Sequence, residues 1–162
     1  MKTILITGGT GLMGKPLTQK LLQKGYLIHH LTRNDEEHGN PRIKKFKWDV
    51  YKRQIDENCI AGVDAIIHLA GESIIGKRWS DGRKKQIIES RTESIRLIYT
   101  LLKKTKEHQV KDVISASAIG YYSDRGDELL TENSKPANDF LAQSCVEWEN
   151  AIDEGNLLGL RV

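Results

Sequence analysis

Three glycines at three-residue spacing separate a short apolar run from a helical pattern, and no other feature constrains the fold as strongly. Gly8, Gly11 and Gly14 follow the run Thr3–Ile6 and open the amphipathic segment Leu12–Gln23. The first glycine permits a tight turn, the second lets the backbone approach a pyrophosphate, and the third lets the helix pack close to the strand. Free N–H groups at the start of the helix then face the anion. The sequence therefore predicts a nucleotide-binding loop between a strand and a helix.

Short apolar runs alternate with longer amphipathic segments along the rest of the chain. Further strands are predicted at Tyr26–Leu31, Arg42–Trp48 (nearer an edge), Asp64–Leu69 and Val113–Ser117. Helices are predicted at Ile55–Ala61, Asp81–Lys106 and Phe140–Ile152, with a polar loop between Gly120 and Asn138. With right-handed crossovers, this alternation predicts an α/β fold: a Rossmann-type, doubly wound parallel sheet with helices on both faces.

The last residues of the chain, Leu158–Val162, have the pattern of a strand that is just beginning. Because a domain seldom ends inside a strand, we expect residues 1–162 to form one domain that belongs to a longer protein. The alternative is a short terminal edge strand.

The composition indicates an ordinary cytoplasmic protein. The chain has 162 residues and a formal net charge of +3, and its basic residues are spread out without interleaved aromatics, so we expect no nucleic-acid partner. Two distant cysteines, Cys59 and Cys145, argue against a disulfide framework, and the histidines lack metal-ligand spacing, so we expect no metal. No apolar stretch approaches the length of a membrane span, and none resembles a signal peptide.

The end of the second predicted strand indicates which dinucleotide the loop holds. About 20 residues beyond the glycines, an NAD enzyme places a carboxylate on the ribose hydroxyls, whereas this chain has Thr32 and Arg33. A guanidinium can bind a 2′-phosphate by charge-assisted hydrogen bonds, so NADP is favoured. Asp35 and Glu36 follow directly and keep NAD possible; an ordinary surface cation is the alternative for Arg33.

A second phosphate motif overlaps the first, because Gly9, Gly14 and Lys15 match the start of a P-loop. The next residue is Pro16, which has neither the hydroxyl that a P-loop needs for Mg²⁺ nor a backbone N–H. A nucleotide hydrolase is therefore disfavoured.

The ends of two more predicted strands provide candidate cofactor-binding residues. Asp49 could accept a hydrogen bond from the adenine amino group, or it could cap the following turn. Leu69, Ala70 and Gly71 end the fourth strand at the carboxyl edge, where small residues leave room for a ribose. His68 precedes them, and we expect it to pack or orient its neighbours rather than to catalyse.

Several motifs together resemble one family. They are Thr7–Gly14, His68–Ser73, Gly76–Trp79, Glu89–Arg91, Ser115–Tyr122, Asp139–Ala142 and Trp148–Glu149. The chain resembles the extended short-chain dehydrogenases/reductases, and within them the atypical epimerase family proteins, along essentially its whole length. The resemblance implies a protein nearly twice as long, whose second half completes the sheet and adds a substrate-binding subdomain.

The resemblance also implies a set of cofactor contacts. These fall on the glycine loop, the ends of the strands and the long helix: Gly8, Thr10, Gly11, Leu12, Met13, Gly14, Thr32, Arg33, Leu69, Ala70, Gln86 and Arg91, to which we add Asp49, Gly71 and Ser115 as strand-end candidates. Arg91 could reach a phosphate or ribose; the alternative is a salt bridge with Glu89 or Glu93.

The usual catalytic pair of this family is missing at its expected place. Short-chain dehydrogenases use a Ser and a YxxxK pair, in which Lys lowers the pKa of Tyr for proton exchange. Tyr99 and Lys103 have this spacing but precede the fifth strand, so we interpret them as structural. At the expected place the chain has Phe140 and Ser144.

Three residues remain as catalytic candidates. Ser117 matches the position of the family's substrate-binding serine, and Tyr121 or Tyr122 could replace the lost phenol, although both could simply pack. Two hypotheses follow: an NADP-dependent oxidoreductase or epimerase acting on a small molecule such as a nucleotide sugar, or a non-catalytic NADP-binding sensor or partner-binding module. The sequence leaves the oligomeric state open.

Overall fold

A computed structural model of the protein describes residues 2–33 and 39–162. Asp35 and Glu36, which kept NAD possible, lie outside the described residues. The strands are β1 Thr3–Thr7, β2 Leu27–Thr32, β3 Ile43–Asp49, β4 Gln54–Ile55, β5 Val63–His68 and β6 Asp112–Ser115. The helices are α1 Gly14–Gln23, α2 Asp81–Lys104 and α3 Phe140–Asp153, with single-turn 3₁₀ helices at Glu57–Ile60, Ile119–Tyr121 and Glu154–Leu158.

The strands form one sheet in the order β4-β3-β2-β1-β5-β6. All neighbours pair in parallel except β3 and β4, which are antiparallel. The strand order reverses direction between β1 and β5, and in such sheets ligands bind beyond the carboxyl ends of the strands at the point of reversal. The predicted doubly wound Rossmann-type fold is confirmed.

The sheet has apolar side chains on both faces, as a parallel sheet covered by helices requires. All five residues of the central strand β1 are buried. On one face Ile4, Ile6 and Ile28 pack with Leu22 of α1. On the other face, Leu5, Leu31 and Ile66 pack with residues of α2 and α3: Ile95, Ile98, Trp148 and Ile152.

Side-chain caps explain where two of the helices begin. Ser80 accepts a hydrogen bond from the backbone N–H of Arg83 at the start of α2, and Asp139 accepts one from Ala142 at the start of α3. An N-cap of this kind satisfies one of the N–H groups that a helix leaves unpaired in its first turn. Both starts agree with the predicted boundaries to the residue.

The structure corrects the predicted boundaries elsewhere. The segment predicted as the helix Ile55–Ala61 contains the end of β4 and a 3₁₀ turn, because Gln54–Ile55 folds back onto Trp48–Asp49 through the positive-φ residue Arg53. The prediction that a strand begins within Leu158–Val162 is wrong for most of this range. Leu158 ends a 3₁₀ turn, and only Arg161 forms a bridge, to Asp112. The left-handed backbone of Gly159 keeps the preceding residues out of the sheet.

Candidate functional site

The glycine loop between β1 and α1 is closed by backbone contacts that leave no room for side chains. Gly8 has φ +69°, and a Cβ on it would lie 2.8 Å from the carbonyl oxygen of Leu69. A Cβ on Gly14 would lie 2.2 Å from the carbonyl oxygen of Gly8. The N–H of Gly11 donates to the same oxygen at 2.9 Å. Both outer glycines are therefore required by close approach, as the spacing predicted.

The start of α1 is open to an anion. Its N-cap residue, Met13, provides no side-chain acceptor, and the first turn holds no acidic residue. Leu12 and Met13 are 92% and 70% exposed, so their side chains lie outside the core. At Gly11 an added Cβ would meet only the Gly8 oxygen within 4 Å, which leaves the other side of the loop free. A helix start without a side-chain cap, together with the helix dipole, suits a diphosphate.

Two polar side chains that the sequence analysis did not single out hold this loop in place. Thr7, fully buried, accepts hydrogen bonds at Oγ1 from the N–H groups of Leu69 and Ala70, at 3.1 and 3.0 Å. His30 lies under Gly9, where an added Cβ would be 2.4 Å from Nε2, and that nitrogen is 2.9 Å from Thr18 Oγ1 on α1. The ends of β1, β2 and β5 are thereby fixed relative to the loop.

A crevice of about 520 Å³ runs across the carboxyl ends of these strands. Nine predicted cofactor residues line it: Gly8, Thr10, Gly11, Thr32, Arg33, Asp49, Leu69, Ala70 and Gly71. Six others do not: Leu12, Met13, Gly14, Gln86, Arg91 and Ser115. The sequence analysis missed six lining residues: Leu31, Trp48, Val50, Tyr51, Glu72 and Ser90. The strand-end pattern gave Leu31, Trp48 and Val50 only a general position. Glu72 and Ser90 lie inside family-like motifs without an assigned role, and no sequence signal indicated Tyr51.

Asp49 caps a turn, which is one of the two roles predicted for it, and its predicted hydrogen bond to adenine stays a prediction. Its Oδ1 accepts the N–H of Lys52 at 3.0 Å, which caps the turn after β3. The same residue lines the crevice beside Trp48. One carboxylate oxygen therefore holds the turn, and the residue still borders the space where an adenine would lie.

Two arginines converge on Glu72 at the wall of the crevice. Arg33 Nη1 lies 3.8 Å from Glu72 Oε1, and Arg83 Nη1 lies 3.1 Å from Glu72 Oε2. Their surroundings differ, because the Arg33 side chain is 84% exposed and that of Arg83 is 9% exposed. Arg83 also donates to the carbonyl oxygen of Ser73 and to Oε1 of the exposed Gln86.

Arg91 is held by backbone oxygens on the wall of the site. Its guanidinium donates to the carbonyl oxygens of Ile87 and Glu72, at 2.9 and 3.1 Å, and lies 5.2 Å from the centre of the Trp148 ring. Burial lowers the pKa of Arg91 from its ordinary value. The alternative salt bridge was wrong, since Glu89 pairs with Lys85 and Glu93 with two other arginines, Arg53 and Arg96.

His68 has the local role expected of it. It is fully buried, its Nε2 lies 2.7 Å from Ser94 Oγ, and its Nδ1 lies 3.4 Å from Ser115 Oγ. Burial, aided by the nearby charge of Arg91, lowers the pKa of His68 to about 3. A neutral imidazole therefore joins β5, α2 and β6. The Ser115 hydroxyl is also engaged, since it donates to the carbonyl oxygen of Ala116 at 3.0 Å.

The three catalytic candidates lie together around a second cavity of about 420 Å³. Ser117 Oγ donates a 2.5 Å hydrogen bond to Oε1 of Glu149 on α3. The Tyr121 and Tyr122 rings have centroids 5.0 Å apart in an edge-to-face arrangement. The sequence analysis missed Glu149 as a site residue, because its partner is 32 positions away and no spacing rule connects them.

Of the two positions with YxxxK spacing, Tyr99 has a structural role and Lys103 is exposed on α2. Tyr99 is buried in the core, its hydroxyl donates to the carbonyl oxygen of Ile152 at 2.7 Å, and burial raises its pKa. At the expected place, the Phe140 ring packs edge-on to Trp79 at 5.4 Å. Ser144 is buried and donates to the carbonyl oxygen of Leu141.

The described residues contain neither a cluster of metal-ligating side chains nor a membrane-spanning helix. Within residues 2–33 and 39–162, no group of three His, Cys, Asp or Glu side chains converges as a metal site. Over the same residues, no helix has the length and apolar character to cross a membrane. Cys59 and Cys145 are both free and buried, and burial raises the pKa of Cys59 to about 12.

Residues 4–145 match the model of the NAD dependent epimerase/dehydratase family. The chain belongs to that family. It is 35% identical over 163 residues to "Epimerase family protein SSP1921" of Staphylococcus saprophyticus, and the match covers 100% of this chain and 53% of the relative. The chain thus spans about half the length of the relatives it matches, as the family resemblance implied.

Solved structures agree with the fold and with the family. The nucleoside-diphosphate sugar epimerase from Corynebacterium glutamicum is 37% identical with a TM-score of 0.79, and the match covers 99% of this chain and 32% of that one. A human epimerase family protein, SDR39U1 (isoform 2), was solved with NADPH. It is 27% identical with a TM-score of 0.73, and the match covers 92% of this chain and 48% of that one.

Proposed function

We propose that this chain is the NADP(H)-binding part of an oxidoreductase or epimerase that acts on a small molecule such as a nucleotide sugar. The glycine loop carries the proposal, because its two close backbone approaches and the absence of a side-chain cap on α1 suit a diphosphate. The C. glutamicum and human relatives support it by their names and by the NADPH of the human structure.

The crevice residues divide between the parts of the dinucleotide. The N–H groups of the glycine loop hold the diphosphate, Thr32 and Arg33 hold the 2′-phosphate, and Asp49 borders the adenine. Leu69, Ala70 and Gly71 border a ribose. Bound there, the nicotinamide supplies hydride transfer.

The candidate catalytic residues act on the substrate oxygen. The Ser117 hydroxyl donates its proton to Glu149, so Ser117 accepts a hydrogen bond from a substrate hydroxyl. Tyr121 or Tyr122 supplies the phenol that exchanges the proton. This assignment follows from their common cavity and from the family position of Ser117.

Calorimetric titration with NADPH and NADH tests the cofactor assignment. We expect NADPH to bind more tightly, and Arg33→Asp to erase or reverse that preference because a carboxylate repels the 2′-phosphate. Arg125→Asp is the matched control, since this arginine pairs with Glu128 in the polar loop. An unchanged ratio of the two affinities in Arg33→Asp would overturn the role of Arg33.

A second function is a non-catalytic NADP(H)-binding module that senses redox state or acts through a partner. The specific observation in its favour is the pair Phe140 and Ser144, which has neither a phenol nor an ammonium group. Absorbance at 340 nm, followed with nucleotide sugars on a protein of the relatives' length, separates the two functions. NADPH binding without turnover of any such substrate favours the module.

A further inference from the structure

The carboxylate of Glu72 lies between an exposed arginine and a buried one. Arg33 approaches it from the end of β2 at 3.8 Å, across the mouth of the crevice. Arg83 approaches from the first turn of α2 at 3.1 Å. Glu72 has no role predicted from the sequence, yet within residues 2–33 and 39–162 its carboxylate pairs with the group proposed to hold the 2′-phosphate.

The backbone of Glu72 is fixed from both sides. Its N–H donates to Ser90 Oγ at 2.9 Å, and its carbonyl oxygen accepts from Arg91 Nη2 at 3.1 Å. Arg83 adds a bond to the carboxylate from a side chain that is only 9% exposed. Glu72 is therefore a fixed wall residue, whereas the Arg33 side chain is 84% exposed and free to turn about its long stem.

We propose that Glu72 sets the strength of the NADP(H) preference by competing with the 2′-phosphate for Arg33. Arg33 Nη1 lies within ion-pair distance of the Glu72 carboxylate. A 2′-phosphate takes Arg33 away from that partner. NADH has no group at this place, so its binding leaves the Arg33–Glu72 pair as it is. This inference rests on the proposed cofactor function.

The expected change in NADPH affinity follows from the solvent exposure of the Arg33–Glu72 pair. Exposed ion pairs contribute little and are screened by salt, so removing the Glu72 charge should tighten NADPH binding by about two- to fivefold. The effect should shrink at high ionic strength, because the Debye length falls to about 3 Å at 1 M salt. NADH affinity should stay the same.

The test is calorimetric titration of the 162-residue chain with NADPH and NADH as probes. The variants are Glu72→Gln, Arg33→Gln and the double variant. Glu72→Gln should tighten NADPH alone, and this gain should disappear in the Arg33→Gln background. Glu89→Gln is the matched control: it removes a carboxylate of α2 that pairs with the exposed Lys85 at 3.7 Å, and it should leave both affinities unchanged.

Folding is monitored by circular dichroism, because Glu72 also neutralises the buried Arg83. Arg83 keeps its bonds to Ser73 and Gln86 in the Glu72→Gln variant. If that variant nonetheless melts early, Glu72→Asp replaces it: the shorter carboxylate keeps its charge for Arg83, withdraws from Arg33 and should tighten NADPH by a smaller factor.

The outcomes separate the inference from the proposed function. A wild-type chain that binds neither dinucleotide would contradict the cofactor assignment itself. If the wild-type chain binds NADPH, two results would overturn the role of Glu72 alone. Either Glu72→Gln leaves the NADPH affinity unchanged, or it raises the affinities for NADPH and NADH by the same factor. A gain that persists in the Arg33→Gln background would also overturn it, because the carboxylate would then act on the phosphate without Arg33.

Discussion

Replacing Gly14 by alanine tests the geometry on which the glycine loop depends. Gly14 is the first residue of α1, and a Cβ there would lie 2.2 Å from the carbonyl oxygen of Gly8 and 2.6 Å from Cα of Gly9. These are backbone atoms, so no rotamer change can relieve the contact. The loop between β1 and α1 must move instead, or the helix must shift away from the strand.

The size of the effect follows from the distances. Non-bonded heavy atoms rest at about 3.5–4.0 Å, so Gly14→Ala demands a displacement of roughly 1 Å or more. Overpacking of this kind costs about 1–3 kcal/mol, and the rigidity of the backbone atoms places this substitution near the upper end. For a chain of 162 residues, about 2–3 kcal/mol lowers Tm by about 4–12 °C.

Gly82→Ala is the matched control, because Gly82 is also a helical glycine but has no atom within 4 Å of an added Cβ. Alanine there should raise the free energy of unfolding by about 0.5–1 kcal/mol, since glycine is the poorer helix former. The two variants are compared by thermal melting and by NADPH titration, and only Gly14→Ala should weaken binding. A Gly14→Ala chain that melts at or above the wild-type temperature would refute the close packing.

Two further predictions concern groups in the core. The pKa of His68 falls from 6.5 to about 3 on folding, so the unfolded chain binds the extra proton. The free energy of unfolding should therefore decrease by about 1.4 kcal/mol per pH unit as pH falls from about 6 towards 3. His68→Gln should reduce the slope of the free energy of unfolding against pH. An unchanged slope, measured by denaturant titrations, would contradict the role of His68 in it. Tyr99→Phe removes the bond to Ile152 and should lower that free energy by about 1 kcal/mol while NADPH affinity stays constant; a change in affinity would contradict its purely structural role.

The parts of the fold that the sequence predicted are those with local causes. Helical periodicity placed α2 and α3, and their first residues directly follow the N-caps Ser80 and Asp139. The glycine loop was equally predictable. An added Cβ on Gly11 or Gly14 would contact atoms of the loop itself, and one on Gly8 would contact Leu69, directly after the neighbouring strand β5. The ends of parallel strands meet at one edge, so the crevice could be placed from strand assignments alone.

What the sequence could not predict depends on contacts between distant residues. Thr7 bonds to Leu69 across 62 positions, and the sequence alone does not fix that register. The two-residue strand β4 is too short to show an alternating pattern and exists only because β3 turns back on itself. Glu72 became a candidate only when the fold brought Arg33 beside it.

The packing around α3 explains why the YxxxK pair cannot simply be restored. Ser144 is 5% exposed and its hydroxyl is used by the carbonyl oxygen of Leu141, so a lysine there would bury an ammonium group without a partner. Phe140 presents its ring to Trp79 and to Nζ of Lys84, 5.4 Å from its centre. The helix is thus built around the substituted residues. The proposed cofactor site and the proposed catalytic site can consequently be tested separately, because the first depends on the β1–α1 loop and the second on the residues around Ser117.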